Sequence, residues 1–275
     1  MNYVLSQMPD RFAKPRQSGL TMVMDKGLST EEARNFISVS YPHVDIVKLG
    51  FGTSFVSPNL REKIELYQSH QIPVYFGGTL FEAFLIRNQF EDYINVCKEY
   101  GIKYMEVSDG SITIPHAEKC GYIEKLTKHG TVLSEVGSKD AAHIIPPYKW
   151  IELMRAELDA GSSYVIAEAR EAGNVGIYRG SGEVREGLVQ EILTQIPGER
   201  IIWEAPQKAQ QIPPSIIITG NTWKTSPQNS TYNGSVPQNG EFPLCDPAGS
   251  GDFFQIGSGG FISRFDLDGT LWDSS

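Results

Sequence analysis

The sequence predicts an α/β protein: a (β/α)8 TIM-type barrel whose eighth unit the sequence leaves open, with an irregular C-terminal tail. Three observations predict it. Between residues 20 and 211, an apolar run followed by a loop recurs seven times, all but the third with a charged residue near its carboxyl end and the first six with an amphipathic stretch behind. The spacing of roughly 25–35 residues suits a parallel strand plus its crossover helix. Most runs are continuously apolar, as strands covered on both faces are.

Residues 1–19 read as an arm, with the basic, extended segment Lys14-Pro15-Arg16 serving either as a solvated lead-in or as a segment that closes on substrate. The first strand, 20–25, ends in Asp25, and Ser29 followed by Glu31 and Glu32 marks the next helix start, to about 39. The second strand, 44–50, carries Lys48, a small-residue loop follows, and a helix runs over 58–70. The third strand, 73–78, opens into one long helix over 80–100. The fourth, 103–108, holds Glu106, and a helix spans 116–128. The fifth, within 131–140, places Glu135 near its end, breaks at Gly137 and delivers Ser138, Lys139 and Asp140 into a loop. Pro146-Pro147 precedes a helix that Gly161 ends. The sixth strand, 164–169, holds Glu168 before Arg170; a glycine-rich loop then leads to a helix over 183–195. The seventh, 200–205, holds Glu204. An eighth candidate, 215–220, follows too closely to leave room for a helix.

The chain divides into an arm (1–19), a barrel (20–211) and a tail (212–275) of different composition. Residues 212–262 are rich in Gly, Pro, Ser, Asn and Thr and hold four charged residues, Lys224, Glu241, Asp246 and Asp252. At 275 residues, 40% hydrophobic and 21% charged, the chain can build a sizeable core. A net charge of −9 speaks against a nucleic-acid surface. No run of about 18 apolar residues suggests a membrane span. Three cysteines without ligand-like spacing read as free thiols, so a cytoplasmic location is expected. A homo-oligomer is among the expected assemblies.

In a barrel, Asp25, Lys48, Glu106, Glu135, Lys139, Glu168, Arg170 and Glu204 would gather at one mouth. Crowded carboxylates need cations, and Lys48, Lys139 and Arg170 supply part of the charge. The remaining acids suit a hard divalent ion such as Mg²⁺. Glu135 and Lys139 form a pair able to hold a metal and move a proton. The glycines of 173–182, flanked by Arg170, Arg179 and Arg185, read either as a phosphate or sulfonate cradle or as a flexible surface loop.

The stretches KPR (14–16), DIVKLGFGTS (45–54), FGGTLFE (76–82), YMEVSDG (104–110), VLSEVGSKD (132–140), VIAEAREAGNVGIY (165–178) and IIWEAPQK (201–208) resemble the phosphosulfolactate synthase family. The resemblance implies a barrel that adds sulfite to phosphoenolpyruvate with Mg²⁺, giving (2R)-phospho-3-sulfolactate, the first step of a coenzyme M route in methanogens. It implies Lys139 as general acid, with Glu135 as metal ligand or orienting partner. Glu106 and Glu168 become the other metal-side carboxylates. Lys48, Arg170 and Arg16 would hold sulfite or carboxylate oxygens; Arg179 and the backbone at Ser181 and Gly182 would hold phosphate. The family would continue past the seventh strand with a full helix and an eighth strand, which the tail does not provide. A non-catalytic scaffold or stress-protection member of the same fold is the alternative. Near the end, Asp266 and Asp268 lie in a stretch resembling the first motif of haloacid-dehalogenase-type phosphatases, without the downstream domain that motif needs.

Overall fold

The computed structural model describes residues 12–137, 144–169, 172–207 and 210, and the backbone of two strands in the tail. Seven strands follow one another in chain order: β1 (Met22–Asp25), β2 (Ile46–Leu49), β3 (Val74–Phe76), β4 (Tyr104–Val107), β5 (Thr131–Val136), β6 (Tyr164–Ala167) and β7 (Ile201–Trp203). The ladders β1-β2-β3 and β4-β5-β6-β7 are parallel throughout, and β3 lies beside β4. The helices are α1 (Thr30–Ser40), α2 (Thr53–Val56), α3 (Leu60–Ser69), α4 (Gly78–Leu85), α5 (Phe90–Glu99), α6 (His116–Leu126), α7 (Pro147–Asp159) and α8 (Glu186–Leu193).

The sheet is rolled. Five strand spacings separate β2 from β7, about 24 Å in a flat sheet. A lysine and a glutamate side chain together span only about 10 Å. Yet Lys48 Nζ on β2 lies 3.5 Å from Glu204 Oε1, just past β7. Only barrel curvature brings those ends together, so the TIM-type architecture follows from the strand order and this contact. The expected eighth strand at 215–220 lies outside the described residues, as do Asp266 and Asp268. In the tail, β8 (Phe253–Ile256) and β9 (Gly260–Ser263) form an antiparallel pair.

Local chemistry accounts for the elements. At α1, Ser29 and Glu32 form a reciprocal capping box, and Ala33, Phe36 and Ile37 bury one face. Phe36 and Ile37 each contribute about 1.5–3 kcal/mol of transfer free energy, and Ala33 less. The long helix expected over 80–100 is two helices. Asn88 takes a left-handed φ of 57°. Its N–H bonds Leu85 O at 2.9 Å, and the Gln89 N–H bonds Phe84 O at 3.0 Å, a Schellman closure that ends α4. The loop after β2 contains the unexpected short α2, which follows a turn built on Phe51 (φ 53°) and Gly52 (φ 67°). Cys97 and Cys120 are free thiols. Among the described residues, no helix is long and apolar enough to cross a membrane.

Candidate active site

Strand alternation and register decide which charges enter the barrel. Residues two apart on a strand share a face, and residues in register on neighbouring strands share it too. Glu106 is in register with Leu133, two residues before Glu135. Glu135 is in register with Ile166, two residues before Glu168. Ile166 is in register with Ile202, two residues before Glu204. Four glutamates from four consecutive strands therefore share one face, the interior.

Lys48 meets them there. It is only 5% exposed. Its Nζ lies 2.9 Å from Glu106 Oε1, 3.3 Å from Glu135 Oε2 and 3.5 Å from Glu204 Oε1. Burial alone would lower the pKa of this ammonium, but Glu106, then Glu135, Tyr75 and Glu204, override it and hold it well above the ordinary lysine value. Lys48 is thus a fixed positive charge. The acids feel the converse. Burial raises Glu106 above the usual carboxylate range against the pull of Lys48, with Glu135 adding to the rise. Glu204 is raised likewise, by burial first, against Lys48 and with Glu135 and Glu106.

Glu106 is seated by backbone. Its Oε1 accepts the Gly78 N–H at 2.6 Å. A Cβ at residue 78 would lie 2.2 Å from Ser108 Oγ and 2.7 Å from Glu106 Oε1, so this approach requires glycine. Nearby, Glu82 accepts bonds from Ser108 Oγ and from the Gly110 and Ser111 N–H groups at 2.9 and 3.0 Å, fastening the loop after β4.

One carboxylate oxygen each from Glu135, Glu168 and Glu204 lies within 4.8 Å of the others. Among the described residues four acids gather about one ammonium, and three convergent oxygens are the donor set a hard divalent cation takes. Behind Glu135, buried Lys119 on α6 donates to the Glu135 carbonyl at 2.5 Å and pairs with Asp109 at 2.8 Å and Glu157 at 2.9 Å. It braces β5 from the helix side.

Residues 9–213 match the family model of (2R)-phospho-3-sulfolactate synthase. The chain belongs to the phosphosulfolactate synthase family. A phosphosulfolactate synthase of Methanothermobacter thermautotrophicus is 41% identical over 210 residues, covering 74% of this chain and 81% of its own length. One of Bacillus subtilis is 37% identical over 214 residues, 77% of this chain and 85% of its own. One of Methanocaldococcus jannaschii is 38% identical over 202 residues, 71% of this chain and 80% of its own. A solved 3-hexulose-6-phosphate synthase aligns with 70% of this chain and 82% of its own at 17% identity, with a TM-score of 0.44.

Of the residues expected at this family site, the structure brings Lys48, Glu106, Glu135 and Glu168 together. Glu106 Oε1 bonds Lys48 and Gly78, and Glu204, not among the expected ligands, converges with Glu135 and Glu168. The signal for Glu204 was its place at a strand end, in register with the other acids. Asp25, which carries the same signal, is in register with Leu49 and so points opposite to Lys48; it pairs with Lys63 at 3.1 Å and Tyr67 at 3.1 Å.

Arg16 does not reach the mouth. It pairs at 2.7 Å with Asp45 before β2 and donates to Pro42 O at 2.8 Å, at the amino ends of the strands. The arm there is a fastening of the barrel floor, neither a solvated lead-in nor a substrate cover. The Gly182 N–H is spent on Arg179 O at 2.9 Å and is not left to face phosphate, while the Ser181 hydroxyl donates to Glu183 Oε2 at 3.2 Å. Lys139 and Arg170 lie outside the described residues.

Proposed function

We propose that the chain adds sulfite to phosphoenolpyruvate to give (2R)-phospho-3-sulfolactate, with Mg²⁺ taken by Glu135, Glu168 and Glu204. The observation that carries this reading is the convergence of Lys48 with four glutamates at one barrel mouth in a member of this family. Mg²⁺, when bound, supplies positive charge at the substrate carboxylate, where negative charge develops during the addition.

The chain's own residues account for the rest. The sulfite sulfur lone pair forms a carbon–sulfur bond to the methylene carbon, and the π pair moves toward the carboxylate. One proton then adds at C2. Lys48, held charged by its acid neighbours, presents a second fixed cation to anionic substrate oxygens. Glu106 and Gly78 keep it from swinging, which lowers the reorganisation needed as charge moves. Lys139, two residues past the Gly137 turn, is the proposed C2 proton donor, and Arg170 is proposed for sulfite or carboxylate oxygens.

The test is sulfite-dependent loss of phosphoenolpyruvate, with and without Mg²⁺, in the wild type and in Lys139→Ala. Turnover that requires both sulfite and Mg²⁺ and falls at least a hundredfold in Lys139→Ala is expected. Folded wild-type protein without turnover would overturn the reading.

A further inference from the structure

A groove of about 680 Å³ opens beside the mouth, between the start of α7 and the loop from β6 to α8. Trp150 and Tyr178 contribute to its wall, and Arg179 and Arg185 line it. The loop that carries both arginines is tied to the mouth acids. Ile177 N–H bonds Glu168 O at 3.2 Å, and the Tyr178 hydroxyl donates to Glu204 O at 2.9 Å. Gln210 clamps the same loop through Gly173 O at 2.6 Å and Gly182 O at 3.0 Å.

In a chain of net charge −9, these two guanidiniums lack an acid partner among the described residues. Arg185 Nη1 donates to Gly176 O at 3.0 Å, which satisfies a hydrogen bond but no charge. Arg179 makes no side-chain hydrogen bond or ion pair among the described residues; Glu183, two residues before Arg185, faces Ser181 instead. Burial, together with the neighbouring Arg179, holds the Arg185 pKa below its ordinary value, so the two cations repel. Glu191 also lines the groove, more than a turn further along α8, and leaves a positive balance there. Side-by-side arginines with planar forks open to a groove match the oxygens of a phosphate dianion. The arginine pair carries the assignment; the first turn of α8, at Gly187 and Leu188, only adds donors.

We infer that this groove binds a phosphate-ester dianion between Arg179 and Arg185. The inference deepens the reading given above, because the phosphate of the enol-phosphate substrate is one source of that group. The other source is a separate phosphorylated ligand.

The probe is inorganic phosphate, titrated calorimetrically against the metal-free protein at constant ionic strength with chloride as control. Wild type should bind phosphate, and Arg179→Gln/Arg185→Gln should bind it at least tenfold more weakly. Arg179→Gln alone, which disturbs no side-chain bond among the described residues, should weaken it about threefold or more and guards against a double variant that fails to fold. Undiminished phosphate binding in both variants, or no phosphate binding by wild type above chloride, overturns the inference. Kinetics then separate the sources. A tenfold rise in KM for phosphoenolpyruvate, with KM for sulfite unmoved, assigns the groove to the substrate's phosphate. Unmoved kinetics with lost phosphate binding assign it to a separate ligand. Absence of wild-type turnover would count against the proposed reaction alone, since the binding arm does not depend on it.

Discussion

Glu204→Gln isolates the electrostatics of the mouth. It preserves side-chain shape and an oxygen for the Ala169 N–H, now 3.1 Å from Glu204 Oε2, and removes one negative charge. At an effective dielectric constant of about 20, charges 4.8 Å apart, the outer limit within the acid triad, interact by about 3.5 kcal/mol. Glu135 and Glu168 together therefore oppose the Glu204 carboxylate by about 7 kcal/mol, and Lys48 at 3.5 Å returns about 5 kcal/mol on the same basis. The metal-free protein should gain about 2 kcal/mol on substitution, a rise in melting temperature of about 4–8 °C for a chain this size.

The pH dependence has a definite sign. Burial, with Glu135 and Glu106, raises the folded-state pKa of Glu204 in spite of Lys48. The folded state thus holds this proton more tightly than the unfolded chain does. The stability it contributes is complete below the unfolded carboxyl value of about 4.3 and is lost as pH rises through the raised folded value. The advantage of the variant should be small near pH 4 and full near pH 8. Calorimetric melting in EDTA across that range measures it, and added Mg²⁺ should then stabilise wild type more than the variant. A variant that melts at or below wild type in EDTA at pH 8 would refute the reasoning, since Glu204 would then be a net partner of Lys48 and no excess charge would exist.

Two further substitutions probe the supports of the site. Lys119→Met removes the cation from Glu157, which is 0% exposed, and should cost about 3–5 kcal/mol in urea unfolding at pH 7. Burial would raise Glu157, but Lys119 overrides it and holds the pKa below the usual carboxylate value; that stability is present above the unfolded pKa and lost as pH falls through the folded one. The cost should therefore shrink toward acid pH, and an equal cost at pH 4 and pH 7 would exclude the ion pair as its source. Gly78→Ala drives a methyl against Ser108 and Glu106; it should destabilise by about 1–3 kcal/mol and lower turnover more than tenfold. Unchanged melting and turnover would show that the approach is slack.

The sequence alone determined the alternation of strand and helix, since periodicity and local chemistry act within about ten residues. Ser29 with Glu32 marks α1, Pro146 and Pro147 mark α7, and Gly137, at φ 149°, ends β5 where the chain must turn. Even so, Asn88 ended a helix that apolar spacing alone would continue, because capture of carbonyls by a left-handed residue leaves little trace in composition. The acids at the strand ends were legible as candidates, and the family motifs tied them to one chemistry. Which acids meet was a tertiary decision. Asp25 and Glu204 look alike in sequence, each an acid closing an apolar strand. Register turns Asp25 outward to Lys63 and Tyr67, and turns Glu204 inward to Lys48. Arg16, basic and within a family motif, belongs to the barrel floor because Asp45 holds it there. Side-chain period fixes a face only once neighbouring strands are in register, and distance across the barrel only once the sheet has curled; both depend on contacts between residues far apart in the chain.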